Sequence, residues 1–446
     1  LPMPRSRPLA AWALYDFAAS AYATCVATAL LPAYFAAVIA PEGLQVLGHR
    51  VGAVSLWGYA SSLCALTVFV LAPVAGAAAG LAGLRRVFLA AACAAGGAAA
   101  LAVSAQGPGD VLPALGLFVL AQAAYNTGNA FYDAYLPQLS AGRERDRVSG
   151  LGYACGYAGG GLGLALALAL VSGRETLGLD EARAVQWGMA LCGAWWLALG
   201  LAAVAGLPGA DANGAADASA SGLKGARTSG EARIGRGLSL PALAAGGFRE
   251  AWRAASAARR TPGLGRFLLA YLFYNDGVQT VIAMAAIYGR AEIGLPQGTL
   301  LVTLLAIQGV ALAGAVGFAR LAGRIGARKS LMAALAAWSA VAVLARGVTT
   351  AGEYFALGLG VGVALGGSQA LSRSVFSRLV PPGEEPTVYY GFFSVLSKLS
   401  AVLGPLVFAA IAQATGSARP AIVSLTLFFA VGLVLLARLP EADTRA

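Results

Sequence analysis

Inside the apolar run "WALYDFAASAYATCVATALLPAYF", Asp16 is followed at four-residue steps by Ser20, Thr24 and Thr28. On an α-helix that step stacks side chains along one face. A charge inside a membrane costs about 2.5–3.5 kcal/mol even on the most forgiving scale, so a carboxylate there is expected to face a cavity or a polar partner. Three more runs repeat the pattern. "LAQAAYNTGNAFYDAYLPQ" carries Gln122, Asn126, Asn129 and Asp133 at helical spacing, and "YLFYNDGVQTVIAM" sets Tyr271, Asn275 and Gln279 on one stripe beside Asp276 and Thr280. "GGSQALSRSVFSR" adds Ser368, Gln369, Ser372 and Arg373, and Lys398 lies within a fifth run, "GFFSVLSKLSAVLGP". These groups suit recognition of a small polar solute. A carboxylate shielded from water can also load and release protons near neutral pH. Asp16 and Asp276 are both candidates for that proton, with Lys398 as a switching partner or a seat for an anionic group. The structural alternative is a fixed ion pair or interhelical glue, worth about 0.6 kcal/mol per hydrogen bond.

The elements that must position these residues are membrane spans. Of 446 residues, 59% are hydrophobic and 11% charged, with a mean hydropathy of +0.72. A soluble chain carries roughly a quarter charged residues. A span needs about 20 mostly apolar residues. Runs of that kind cover 9–39, 51–72, 86–105, 111–137, 148–171, 185–206, 264–289, 297–320, 328–346, 353–379, 388–414 and 420–438, predicting an all-α polytopic membrane protein. Of the 31 basic residues, 24 fall on the side that holds both chain ends, six lie opposite, and Lys398 is within a span. The positive-inside rule therefore predicts cytoplasmic termini. The same distribution accounts for the net charge of +11 without any nucleic-acid partner.

Metal and enzyme chemistry find little support. Cys25, Cys64, Cys93, Cys155 and Cys192 all fall in spans without metal-ligand spacing, and His49 is the only histidine. "GGSQA" lacks the closing glycine and histidine partner of a serine nucleophile elbow, and no glycine-rich stretch carries the lysine of a phosphate loop. No cofactor is expected.

Residues 207–263 join six spans to six. Their first part is rich in Ala, Gly, Ser and Asp, as flexible linkers are. Their second part, "GGFREAWRAASAARRTPG", reads as a basic amphipathic helix at the membrane surface. The division predicts a bundle over 1–206 and another over 264–446. "GLAGLRR" (80–86) and "GRIGARK" (323–329) match between the halves. This layout resembles the major facilitator superfamily, in which spans 1, 4, 7 and 10 line a central cavity. Gly80 and Gly323 stand where that superfamily's loop motif usually holds an acidic residue.

A narrower resemblance is carried by "WALYDFAASAYAT", "FYDAYLPQLS", "VSGLGYACGYAGGG", "YNDGVQTVIAMAAIYG", "GGSQALSRSVFSRLVP" and "GFFSVLSKLSAVLGP". Together they are similar to the vacuole effluxer branch, the autophagy-related amino acid effluxers of fungi and their bacterial relatives. The resemblance implies a secondary transporter working by alternating access, with neutral aliphatic amino acids as the fungal substrates. It carries Tyr15, Asp16, Asn275, Asp276, Gln279, Gln369, Arg373 and Lys398 over as family-pattern positions. Ala19 stands where asparagine is common and Asp133 where asparagine is usual, so the substrate is free to differ. The resulting expectation is a proton-coupled or facilitative transporter of small polar solutes, most of all amino acids. Its substrate and proton pathway holds those eight residues with Ser20, Asn126, Asn129 and Asp133. Membrane lipid, the solute and protons are its expected partners, and a monomer is the superfamily's usual state. The high Ala, Gly and Arg content points to a bacterial inner membrane. Two alternatives stand beside this one: a melibiose-carrier-like sugar symporter, and a non-transporting scaffold or sensor on a transporter fold.

Overall fold

The computed structural model describes residues 7–439, apart from Leu47, Gly83, Arg143, Pro382, Gly383, Glu385, Val402 and most of 210–260. The expected linker and amphipathic helix thus lie almost wholly outside the described residues. So do the extreme termini.

Helix 1 runs over Arg7–Ile39, helix 2 over Ala53–Ala82, helix 3 over Arg85–Val103 and helix 4 over Val111–Asp133. Helices 5 and 6 follow at Glu144–Ser172 and Glu181–Ala205. Helices 7 to 10 occupy Pro262–Ile293, Gln297–Ile325, Ala327–Ala345 and Ala351–Leu379. Helix 11 comes in two pieces, Pro386–Leu399 and Leu403–Thr415, and helix 12 is Ala418–Ala437. Among the described residues, eleven of these are long and apolar enough to cross a membrane. The remaining one, helix 7, has 32 residues and ample length. Its apolar character is diluted by Asn275, Asp276, Gln279 and Thr280, the residues that make it interesting.

The chain forms two compact units. One comprises residues 1–135, 159–254 and 385–394, the other 136–158, 255–384 and 395–446. In the first unit helix 1 packs on helix 6, helix 2 on helix 4, and helix 3 on helices 4 and 6. In the second, helix 7 packs on helix 12, helix 8 on helix 10, and helix 9 on helices 10 and 12. Adding six to each helix number converts one set of pairs into the other. The weak sequence repeat therefore has a counterpart in these helix pairs.

Small residues allow these approaches. Gly358, Gly362 and Gly366 recur every four residues on helix 10 and lie against Thr303, Ile307 and Ala311 of helix 8. A Cβ on Gly366 would collide with the Ala311 carbonyl. Gly159 and Gly160 of helix 5 likewise receive Phe17 and Thr24 of helix 1.

The repeated basic pairs have a mechanical use. Arg86 donates to the Ala205 carbonyl at 2.8 Å, and Arg328 donates to that of Leu439. Each guanidinium satisfies a carbonyl at or just past the end of its bundle's last helix, where the intrahelical ladder runs out of donors.

Two departures from regular helix shape the polar region. From Tyr22 to Leu30 helix 1 is π-helical, and Thr28 Oγ1 donates to the Ala23 carbonyl five residues back, at 2.8 Å. Pro32 follows, without an N–H to give the preceding turn. The four-residue ladder therefore holds only at its start: Ser20 reaches Asp16, whereas Thr28 turns to the exposed side. The second departure is the break in helix 11. It falls just after Lys398, in the turn that Pro405 deprives of a backbone donor, where Gly404-Pro405 leads one to expect a kink.

Candidate functional site

In the first unit the polar face is built around Asp16. Trp12, Tyr15 and Asp16 leave helix 1 toward Tyr132 of helix 4. The Trp12 and Tyr132 rings stack at 4.6 Å, those of Tyr15 and Tyr132 at 5.2 Å, and Trp12 Nε1 donates to the Tyr132 carbonyl at 3.0 Å. This buried stack aims the Tyr132 hydroxyl at Asp16 Oδ2, 3.1 Å away. Ser20 Oγ donates to Oδ1 at 3.3 Å. Asp16 itself stays half-buried. A carboxylate that accepts from hydroxyls can equally accept from an ammonium group or take a proton.

Further along helix 4 the hydrogen bonds are local. Asn126 Nδ2 donates to the Gln122 carbonyl at 2.6 Å. Tyr22 of helix 1 donates to Gln122 Oε1 at 3.1 Å, and Ser394 of helix 11 donates to the Asn126 carbonyl at 3.5 Å. Asp133, half-buried, is the last residue of helix 4.

In the second unit the polar residues fall into two groups. Asn275 and Asp276 of helix 7 turn to the break in helix 11. Asn275 Nδ2 donates to Ser400 Oγ at 2.5 Å and lies 3.5 Å from the Ser397 carbonyl, while Asp276 Oδ1 accepts the Gly404 N–H at 2.9 Å. Lys398 occupies the last turn of the piece before the break and is half-buried, as is Gln279.

Gln369 and Arg373 form the other group, with the first turns of helix 5. Tyr157 donates to Gln369 Oε1 at 3.1 Å. Arg373, only 2% exposed, donates from Nε to Ser149 Oγ at 3.0 Å and from a terminal nitrogen to the Ser149 carbonyl at 2.8 Å. Its guanidinium lies 4.2 Å over the Tyr153 ring. One turn on, Arg378 pairs with Asp146 at 2.6 Å, both side chains at most 2% exposed, and Ser374 Oγ donates to Asp146 at 2.5 Å.

Of the ladder Asp16, Ser20, Thr24 and Thr28, the structure joins Asp16 and Ser20, with Tyr15 packed beside them on Tyr132. Tyr132 was missed, although it directly precedes the flagged Asp133. Asp146 was missed because "RERDRVSG" reads as a solvated charged loop, whereas helix 5 starts there and buries it. Among the described residues no three His, Cys, Asp or Glu side chains are grouped to hold a metal.

A family model described as "Vacuole effluxer Atg22 like" matches residues 5–445. The chain belongs to that family. A Bacillus subtilis relative, the "Uncharacterized MFS-type transporter YxiO", is 29% identical over 436 residues, covering 96% of this chain and 94% of its own. The "Autophagy-related protein 22" of Kluyveromyces lactis is 31% identical over 199 residues, 42% of this chain and 40% of that one. Among solved structures, the E. coli fucose:proton symporter superposes with a TM-score of 0.68 at 14% identity, covering 97% and 98% of the two chains. The human organic anion transporter MFSD10 does so with a TM-score of 0.68 at 17% identity, covering 96% and 99%. At such identities these two establish the fold alone: the twelve-helix major facilitator fold. This vacuole-effluxer relative is thus a polytopic membrane transporter and not an enzyme.

Proposed function

We propose that this Atg22-like chain is a secondary transporter of amino acids across a bacterial inner membrane, coupled to protons through Asp16. The observation that carries the reading is the Asp16 carboxylate, half-buried within a membrane helix and ringed by the Tyr132 and Ser20 hydroxyls. A carboxylate in such a place can accept from a solute's ammonium group or take a proton, and the fungal relatives' family name points to efflux. In this proposal, Asn126, Asn129 and Asp133 of helix 4 extend the path within the first unit, and both termini are cytoplasmic. The aromatic stack serves to hold the Tyr132 hydroxyl still, because preorganised donors need no reordering when the charge on Asp16 changes.

Counterflow in liposomes containing the purified protein tests this. Labelled alanine or leucine should exchange with unlabelled amino acid inside, and an imposed pH gradient should accelerate uptake. Exchange of fucose or melibiose without exchange of any amino acid would contradict it and favour the sugar-symporter alternative.

A further inference from the structure

The two deepest opposite charges on helices 7 and 11 sit at the two ends of one helix break. Within a membrane every backbone polar group must find a partner inside the protein. A break leaves terminal carbonyls on the piece before it and terminal amides on the piece after it. Helix 11 ends its first piece at Leu399 and restarts at Leu403. On the carbonyl side, Ser400 Oγ donates to the Ser397 carbonyl at 2.9 Å, Asn275 Nδ2 approaches the same oxygen, and cationic Lys398 occupies the last turn. On the amide side, Asp276 Oδ1 accepts the Gly404 N–H at 2.9 Å. Gly404 lies in the first turn of the new piece, where amides lack an intrahelical carbonyl partner. Each end of the break therefore meets the charge sign that its helix dipole favours. Asp276 is 2% exposed and fits closely: a Cβ added at Gly404 would meet both Asp276 Oδ1 and Thr280 Oγ1.

We propose that Asp276 is a positioning residue, the cap of the second piece of helix 11. With Asn275 it fixes the break and thereby sets where Lys398 stands. The functional half of this inference rests on the transport reading above; the structural half does not. What matters at position 276 is then an oxygen acceptor aimed at the Gly404 amide, not a group that gains and loses a proton. Asparagine keeps that oxygen, alanine does not, and Gly404→Ala dislodges the carboxylate without altering any charge.

Hydrogen–deuterium exchange on the full-length protein in liposomes reads the cap whatever solute is carried. A peptide spanning 399–408 should exchange about one amide faster in Asp276→Ala and Gly404→Ala than in wild type, by roughly tenfold or more, as loss of a charge-assisted hydrogen bond implies. Asp276→Asn should resemble wild type. Amino acid counterflow should follow the same order, falling in the alanine variants and being rescued by asparagine. Two results would overturn the proposal: wild-type exchange in Asp276→Ala, or Asp276→Asn as defective as alanine in both measurements. A wild-type protein that carries no amino acid but shows the stated exchange order would refute the transport reading and leave the cap supported.

Discussion

At the scale of single residues, the charged groups divide by the partners they keep. Asp16 is held by hydroxyls and stays half-buried, whereas Asp146 is sealed against Arg378. A sealed pair loses water on both sides, so deleting one partner strands the other as an uncompensated charge. Arg378→Ala should destabilise by about 3–5 kcal/mol, and a double replacement by leucine of both Asp146 and Arg378 by much less. Thermal unfolding in detergent would check this, and equal losses in the single and double variants would contradict it. Tyr132→Phe keeps the stacked ring and removes one donor to Asp16. It should leave the melting temperature within a few degrees of wild type while slowing pH-driven uptake. Much of this layer was legible in the sequence: an acidic residue and a serine four apart in an apolar run announce their own pairing. Asp146 was not legible, because burial of a charge between distant segments leaves no periodic signal.

At the scale of elements, packing and capping decide where the polar side chains point. Gly358, Gly362 and Gly366 at four-residue steps form the close contact with helix 8. Gly366→Ala places a methyl group on the Ala311 carbonyl and should cost about 1–3 kcal/mol, as overpacking typically does. The same change at Gly323, whose side faces open space, should be nearly silent. Outside the spans, Glu292 ends helix 7 and holds the start of helix 12. It accepts from the Ala418 N–H, from Ser417 Oγ at 3.0 Å and from Arg419 Nε at 3.4 Å. Partial burial alone would raise its pKa, but the Ala418 amide, the Ser417 hydroxyl and the Arg419 guanidinium together hold it below the ordinary glutamate value of 4.5. Because the folded value is depressed, this contribution is complete above the unfolded pKa and is lost as pH falls through the folded one. Between about pH 5 and pH 3 the wild type should therefore lose more melting temperature than Glu292→Gln. Parallel curves for the two proteins would contradict the assignment. The break in helix 11 was legible, since Gly404-Pro405 marks a kink just beyond Lys398. The π-helical stretch of helix 1 was not, because composition fixes a span but not the register of its hydrogen bonds.

At the scale of the whole molecule, the repeated set of helix pairs and the full-length family match describe a duplicated transporter frame. Its two units differ in how they treat a deep carboxylate. In the first, Asp16 is left hydroxyl-bonded on a half-buried face. In the second, Asp276 is fastened to a backbone amide. On this account coupling belongs to Asp16, and the most direct measurement compares counterflow with pH-driven uptake of the same amino acid in Asp16→Asn liposomes. Counterflow should persist while acceleration by the pH gradient disappears. Full retention of that acceleration in Asp16→Asn would contradict the account.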